Sequence, residues 1–217
     1  MSITLHFHPL SSFCQKVLIG LYELELPFDK RLVDLGDPAE RAAFLALWPI
    51  GKFPVLRDDA RNVTVPETSV ILAYAEAHYG KPKAKRLTPS DPERAHDALL
   101  RDRFFDLYVN VPMGKIVTDK LRPEGQHDPF GVEHAKQQLE TAYGVADEWL
   151  RAGPWAAGET FSVADCAAAP ALFYAEQVLP FSARWRNLGR YFARLTERAS
   201  YARVQAEAKP YLSMFPG

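Results

Sequence analysis

The sequence predicts a chain in two parts. A small α/β part is built on a four-stranded mixed sheet, and an all-helical part follows it. Three observations predict this fold class. Strand-like and helix-like patterns alternate up to about residue 80. A basic, proline-punctuated stretch from Lys81 to Pro92 then breaks both patterns. Beyond it, every periodic segment has helical spacing.

The elements follow in order. Ile3-Thr4-Leu5-His6-Phe7 alternates and reads as a strand. Val17, Leu18, Leu21, Tyr22 and Leu24 recur at helical spacing and place a first helix over about 12–24. Lys30-Arg31-Leu32-Val33 is a second, short strand. Asp37 is placed as an N-cap and Pro38 as the first residue of the next helix. Phe53 to Arg57 and Arg61 to Val65 form a hairpin turning at Asp58-Asp59-Ala60. Glu67-Thr68-Ser69 opens a third helix that ends near Gly80. The order βαβαββα sets helices on the faces of a mixed sheet. Residues 1–80 thus form one domain, 81–92 a solvated linker and 93–217 a helical domain. Its helices fall at about 92–120, 130–151, 163–177, 186–198 and 200–208.

Bulk properties exclude several classes. At 217 residues, 47% hydrophobic and 24% charged, the chain is an ordinary globular protein. Its net charge of −1 gives no push toward nucleic acid or an anionic membrane. No segment approaches the roughly 18 apolar residues of a membrane span. The first residues lack a basic region followed by an apolar core, so no secretory signal is read. Cys14 and Cys166 form no disulfide or metal-ligand pattern. The expectation is a cytoplasmic protein without a metal.

Four places could carry chemistry. Ser11 and Ser12 stand where the first strand turns into a helix, and the free N–H groups and dipole there favour an anion. The residues alone favour ordinary capping of the helix by a serine there. Phe53-Pro54 precedes a strand. A cis bond would turn the Phe53 backbone outward, but only about 5–6% of X–Pro bonds are cis, so the residues alone favour trans. Glu67-Thr68 offers a second helix-end pocket, suited to a carboxylate, or again a simple cap. Phe104, Phe105, Tyr108, Val109, Pro112 and Met113 form an apolar stripe, mostly core, of which a part can face a pocket between the domains.

Other motifs read as structural. Ser162-Val163-Ala164-Asp165 fits a capping box, with Phe161 and Cys166 placed for a hydrophobic staple. Cys14 falls one turn inside the first helix, as a packing residue or a thiolate. His6 and His8 have no partner cluster that would make a metal site.

Together these features resemble the cytosolic glutathione transferase family over nearly the whole chain. The first domain looks like the family's thioredoxin-like domain. Ser11-Ser12-Phe13-Cys14-Gln15-Lys16-Val17 resembles the active-site turn of its serine- and cysteine-type classes, with zeta-, theta- and beta-like bacterial members. Gly51-Lys52-Phe53-Pro54-Val55-Leu56 is similar to the segment whose proline is cis in the family. Glu67-Thr68-Ser69-Val70-Ile71 resembles the E-S-x-x-I motif with threonine for serine, and Phe161 to Asp165 resembles the family's capping box. No tyrosine stands at the first turn, and Trp48-Pro49 replaces the usual Asn-Pro.

The resemblance implies roles. Ser11, or its neighbour Ser12, would stabilise the thiolate of glutathione, the co-substrate. Phe53, beside Lys52 and ahead of Pro54, would pair with the cysteinyl backbone. Glu67 and Thr68 would hold the γ-glutamyl amine and carboxylate. Phe105, Tyr108, Val109 and Met113 would line the electrophile pocket, and a homodimer is implied. A thiol of pKa near 8.5 is only about 3% thiolate at pH 7, and lowering it two units takes about 2.7 kcal/mol. A charge-assisted hydrogen bond plus a helix end has that size. The alternatives are a glutathione-dependent isomerase, a non-catalytic binding module of the same fold, and thiol–disulfide exchange through an exposed Cys14.

Overall fold

A computed structural model describes residues 3–80 and 86–216. The first half is βαβαββα: β1 (Ile3–Phe7), α1 (Ser12–Glu23), β2 (Asp29–Leu32), α2 (Pro38–Leu47), β3 (Val55–Asp58), β4 (Val63–Pro66) and α3 (Thr68–Tyr79). The sheet order is β2-β1-β3-β4. β2 runs parallel to β1, while β3 and β4 pair antiparallel, so the sheet is mixed as expected. Alternation along β1 sends Ile3, Leu5 and Phe7 into the main core. β2 is an exposed edge strand, Asp-Lys-Arg-Leu, whose charges discourage further pairing.

Strand boundaries differ from the sequence expectation, with β3 and β4 beginning two residues after Phe53 and Arg61. β2 ends at Leu32, and Val33 is buried just beyond it in a smaller cluster with Phe44 and Val55. The hairpin keeps Asp58 inside β3 and turns over residues 59–62. Asp58 Oδ1 accepts from the Arg61 N–H at 3.1 Å, and Asn62 takes the positive φ of 55°. Asp37 caps α2 as expected, its Oδ1 accepting from Ala39 and Glu40 N–H. The Phe53-Pro54 bond is cis, against the expectation from the residues alone.

Lys81, Lys83 and Lys85 of the expected linker lie outside the described residues. The second half is helical: α4 (Pro92–Phe104), α5 (Val111–Lys120), α6 (Pro129–Trp149), α7 (Val163–Val178), α8 (Arg186–Thr196) and α9 (Ala199–Ala208). The helix expected over 92–120 is interrupted by a six-residue π turn, Phe105–Asn110, between α4 and α5. A 3-10 segment, Lys209–Met214, extends the chain past α9 and was not expected. α7 is the buried centre of this half and packs on α1, α4 and the π turn. Its start is tied by Asp165, which accepts from the Ser162 N–H and hydroxyl at 2.8 and 3.0 Å. Asp165 also accepts from Ala156 N–H and the Tyr191 hydroxyl. The main core runs unbroken through both halves. Among the described residues, no helix is long and apolar enough to cross a membrane.

Candidate functional site

Ser11 is the N-cap of α1, with extended backbone, and its Oγ accepts from the Cys14 N–H at 3.3 Å. Ser12 is the first helical residue, and both serines are half-buried. The capping reading of Ser11 is therefore realised, and its hydroxyl also faces the Cys14 thiol. Gln15 is fully buried and fixes this turn, donating to the Pro9 carbonyl at 2.8 Å and to the Tyr174 hydroxyl at 3.1 Å. Cys14 is fully buried behind the turn. Burial pushes its thiol up to about 12, and hydrogen bonds from the Ser11 side chain and His8 N–H only partly oppose that. An exposed, exchanging Cys14 is thus ruled out by its packing.

A cleft of about 210 Å³ lies between the two halves. Lys52, Phe53, Pro54, Glu67 and Thr68 all line it, so residues far apart in sequence meet in one cavity. Phe13 and Trp48 complete the wall on the sheet side. Ser11 and Ser12 are not among the lining residues; Phe13 represents their turn. From the helical half come Arg103, Asp106 and Leu107, which no sequence motif singled out.

The start of α3 differs from its neighbours. α1, α2, α4 and α6 are capped by the side chains of Ser11, Asp37, Asp91 and Asp128, whereas α3 has no side-chain cap. Ordinary capping, left open for Glu67-Thr68, is not what this segment does. Glu67 holds φ 68° and ψ 121°, a conformation costly for a residue with a Cβ. That strain sits on the cleft wall, which Pro66, Glu67 and Thr68 line at the start of α3.

Behind this wall lies a buried charge network. Lys16 Nζ is 2.6 Å from Asp102 Oδ1 and 2.6 Å from Asp106 Oδ2, and it donates to Ser69 Oγ at 3.0 Å. Ser69 in turn donates to Asp102 at 2.6 Å. Burial raises the Asp106 carboxyl above its ordinary range, with Lys16 pulling it back. His8 stacks on Phe53 at 6.0 Å and meets the Tyr211 ring edge-on at 5.7 Å. Burial lowers its pKa, and its Nδ1 accepts from the Leu10 N–H, so the ring is neutral at pH 7.

The expected electrophile-pocket residues need correction. Phe105, Val109 and Met113 are 1%, 0% and 4% exposed and belong to the core. Tyr108 alone of the four is exposed, and it lines a separate groove of about 540 Å³ beside α6. The π turn is the physical reason, because its extra residue per turn rotates the helix faces away from a 3.6-residue extrapolation.

Comparison with known families decides the identity. Residues 5–83 match the family model "Glutathione S-transferase, N-terminal domain" and residues 116–199 match "Glutathione S-transferase, C-terminal domain". The chain belongs to the glutathione S-transferase family. As a member it is a glutathione S-transferase enzyme with the family's thioredoxin-like first domain and helical second domain. It is 31% identical to glutathione S-transferase GstB of Escherichia coli K12 over 209 residues, covering 93% of this chain and 97% of that protein. A Methylobacillus flagellatus KT glutathione S-transferase, crystallised with glutathione bound, superposes with a TM-score of 0.84. It is 27% identical, over 93% of this chain and 98% of that one. A Methylobacterium radiotolerans glutathione S-transferase in complex with glutathione sulfonate gives 0.81 at 26% identity, over 94% of each chain.

Proposed function

We propose that the protein joins the glutathione thiolate to small hydrophobic electrophiles, with Ser11 stabilising the thiolate. The carrying observation is the single cleft that gathers Phe53, Glu67 and Thr68 beside the uncapped start of α3. Glutathione presents an extended backbone, an amine beside a carboxylate, and a thiol. Phe53 pairs with the cysteinyl backbone, Glu67 takes the amine, and the Thr68 hydroxyl with the α3 N–H groups takes the carboxylate. Residues 1–80 then bind glutathione, 81–92 link, and 93–217 supply the electrophile side. Leu107 replaces the buried stripe as the apolar residue reaching the cleft.

In the reaction the thiol releases its proton to solvent. The thiolate electron pair forms the S–C bond, and the leaving group departs with the pair from the bond it breaks. Ser11 donates its hydroxyl hydrogen to the thiolate and is not itself modified. Cytoplasmic operation as a homodimer that detoxifies such electrophiles completes the proposal.

Steady-state conjugation of an activated aryl halide, with glutathione binding by calorimetry, tests it. Ser11→Ala keeps glutathione affinity and loses roughly 10- to 100-fold in kcat/KM, the worth of one charge-assisted hydrogen bond. Unchanged kcat/KM in Ser11→Ala overturns the assignment, and the same loss in Ser12→Ala instead moves the role one residue.

A further inference from the structure

Arg103 reaches the cleft from the helical half. Its Nη1 donates to Asp106 Oδ2 at 2.8 Å and to Ser69 Oγ at 3.1 Å. Ser69 is the second residue of α3, so the guanidinium sits at the uncapped first turn of that helix. Asp106 is held from behind by Lys16, which fixes the anchor to which Arg103 is tied. Nε and Nη2 of Arg103 make no hydrogen bond to protein among the described residues. A side chain 45% exposed keeps those donors accessible.

The charges on the cleft wall match one ligand chemistry. Lys52 and Arg103 are cations, and Glu67 is an acid with no ion pair among the described residues. Asp106 is already engaged by Lys16 and Arg103. Two cations and one free acid complement a tripeptide with two carboxylates and one ammonium. The γ-glutamyl ammonium and α-carboxylate share a carbon, so their partners must be neighbours. Glu67 and the Arg103–Ser69 pair meet that requirement, and Lys52, next to Phe53, suits the glycine carboxylate at the other end.

We propose that Arg103 binds the α-carboxylate of the γ-glutamyl unit and closes the glutathione site from the helical half. The proposal rests on the glutathione reading above. A planar guanidinium with one unused donor edge, Nε with Nη2, is built for a carboxylate. Thr68 and the α3 N–H groups then hold that carboxylate from the sheet side, and bound glutathione bridges the two halves.

Calorimetry with two ligands tests it: glutathione, and γ-aminobutyryl-cysteinyl-glycine, which lacks only the α-carboxylate. Wild-type protein is expected to bind glutathione roughly 10- to 100-fold more tightly than the analogue. Arg103→Met narrows that difference by roughly tenfold and leaves analogue binding unchanged. Arg103→Lys, which keeps the charge without the planar donor pair, restores part of it and serves where the methionine variant does not fold. Equal weakening of both ligands, or unchanged glutathione binding, overturns the role of Arg103 alone. Wild-type protein that binds neither tripeptide overturns the glutathione reading and this proposal with it.

Discussion

Lys16 Nζ and Asp106 Oδ2 meet at 2.6 Å, joining the first helix of the sheet half to the π turn of the helical half. The two side chains are 1% and 3% exposed, so the contact is dry, and Asp102 shares the same ammonium. Asp106 also lines the cleft, so the cluster ties the cleft wall to the core shared by both halves.

Removing the shared cation leaves two carboxylates buried without it. Lys16→Met is expected to lower the unfolding free energy by about 3–5 kcal/mol. Denaturant titration reads it, and Lys16→Met combined with Asp106→Asn should cost less than the sum of the two single changes. Strict additivity would mean that the pair is not coupled.

The π turn separates a core residue from an exposed one three positions away. Phe105→Ala should cost about 3–5 kcal/mol, the usual range for emptying a buried aromatic site. Tyr108 is 59% exposed and touches Phe104 at a ring distance of 5.5 Å, so Tyr108→Ala should stay within about 1 kcal/mol. Thermal and denaturant melts of the two variants compare them. The reverse order would place the wrong face inward.

Asp58 Oδ2 accepts from the Tyr74 hydroxyl at 2.7 Å and the Tyr79 hydroxyl at 2.5 Å. Burial pushes its carboxyl up, but the hydrogen bonds from Tyr79, Tyr74 and Arg61 outweigh it and hold the net value below the usual carboxylate range. A lowered folded pKa means that the unfolded chain binds the proton first as pH falls. The stability this group contributes is full above the unfolded value of about 3.9 and is lost as pH drops through the lower folded value. Asp58→Asn should therefore be less stable than wild type at neutral pH, with the gap closing in that acid window. A gap independent of pH would show that the charge is not what matters.

Much of this was legible in the chain. Asp37-Pro38 and Ser162 to Asp165 announce helix starts because a cap is a local interaction, satisfied within three residues. The alternation of β1 and the helical spacing after residue 92 reflect periods that burial of one face imposes. Gly51 to Pro54 and Glu67-Thr68 are picked out as candidate binding segments only through the family resemblance, because the residues alone favour a trans bond and a simple cap. Arg103 and Asp106 were not readable. Nothing near them in sequence marks a site, and their place on the cleft depends on how the end of α4 and the π turn meet Ser69 and Lys16.

The order of strands and helices and the caps were determined by the sequence itself. They depend on periodicity and on contacts within a turn. Tertiary structure decided the rest. It put Cys14 out of reach, turned Phe105, Val109 and Met113 inward at a π turn, and brought Arg103 to the first turn of α3. Those outcomes depend on which face of each helix the shared core claims. That choice is made by packing across residues nearly a hundred positions apart, such as Lys16 and Asp106.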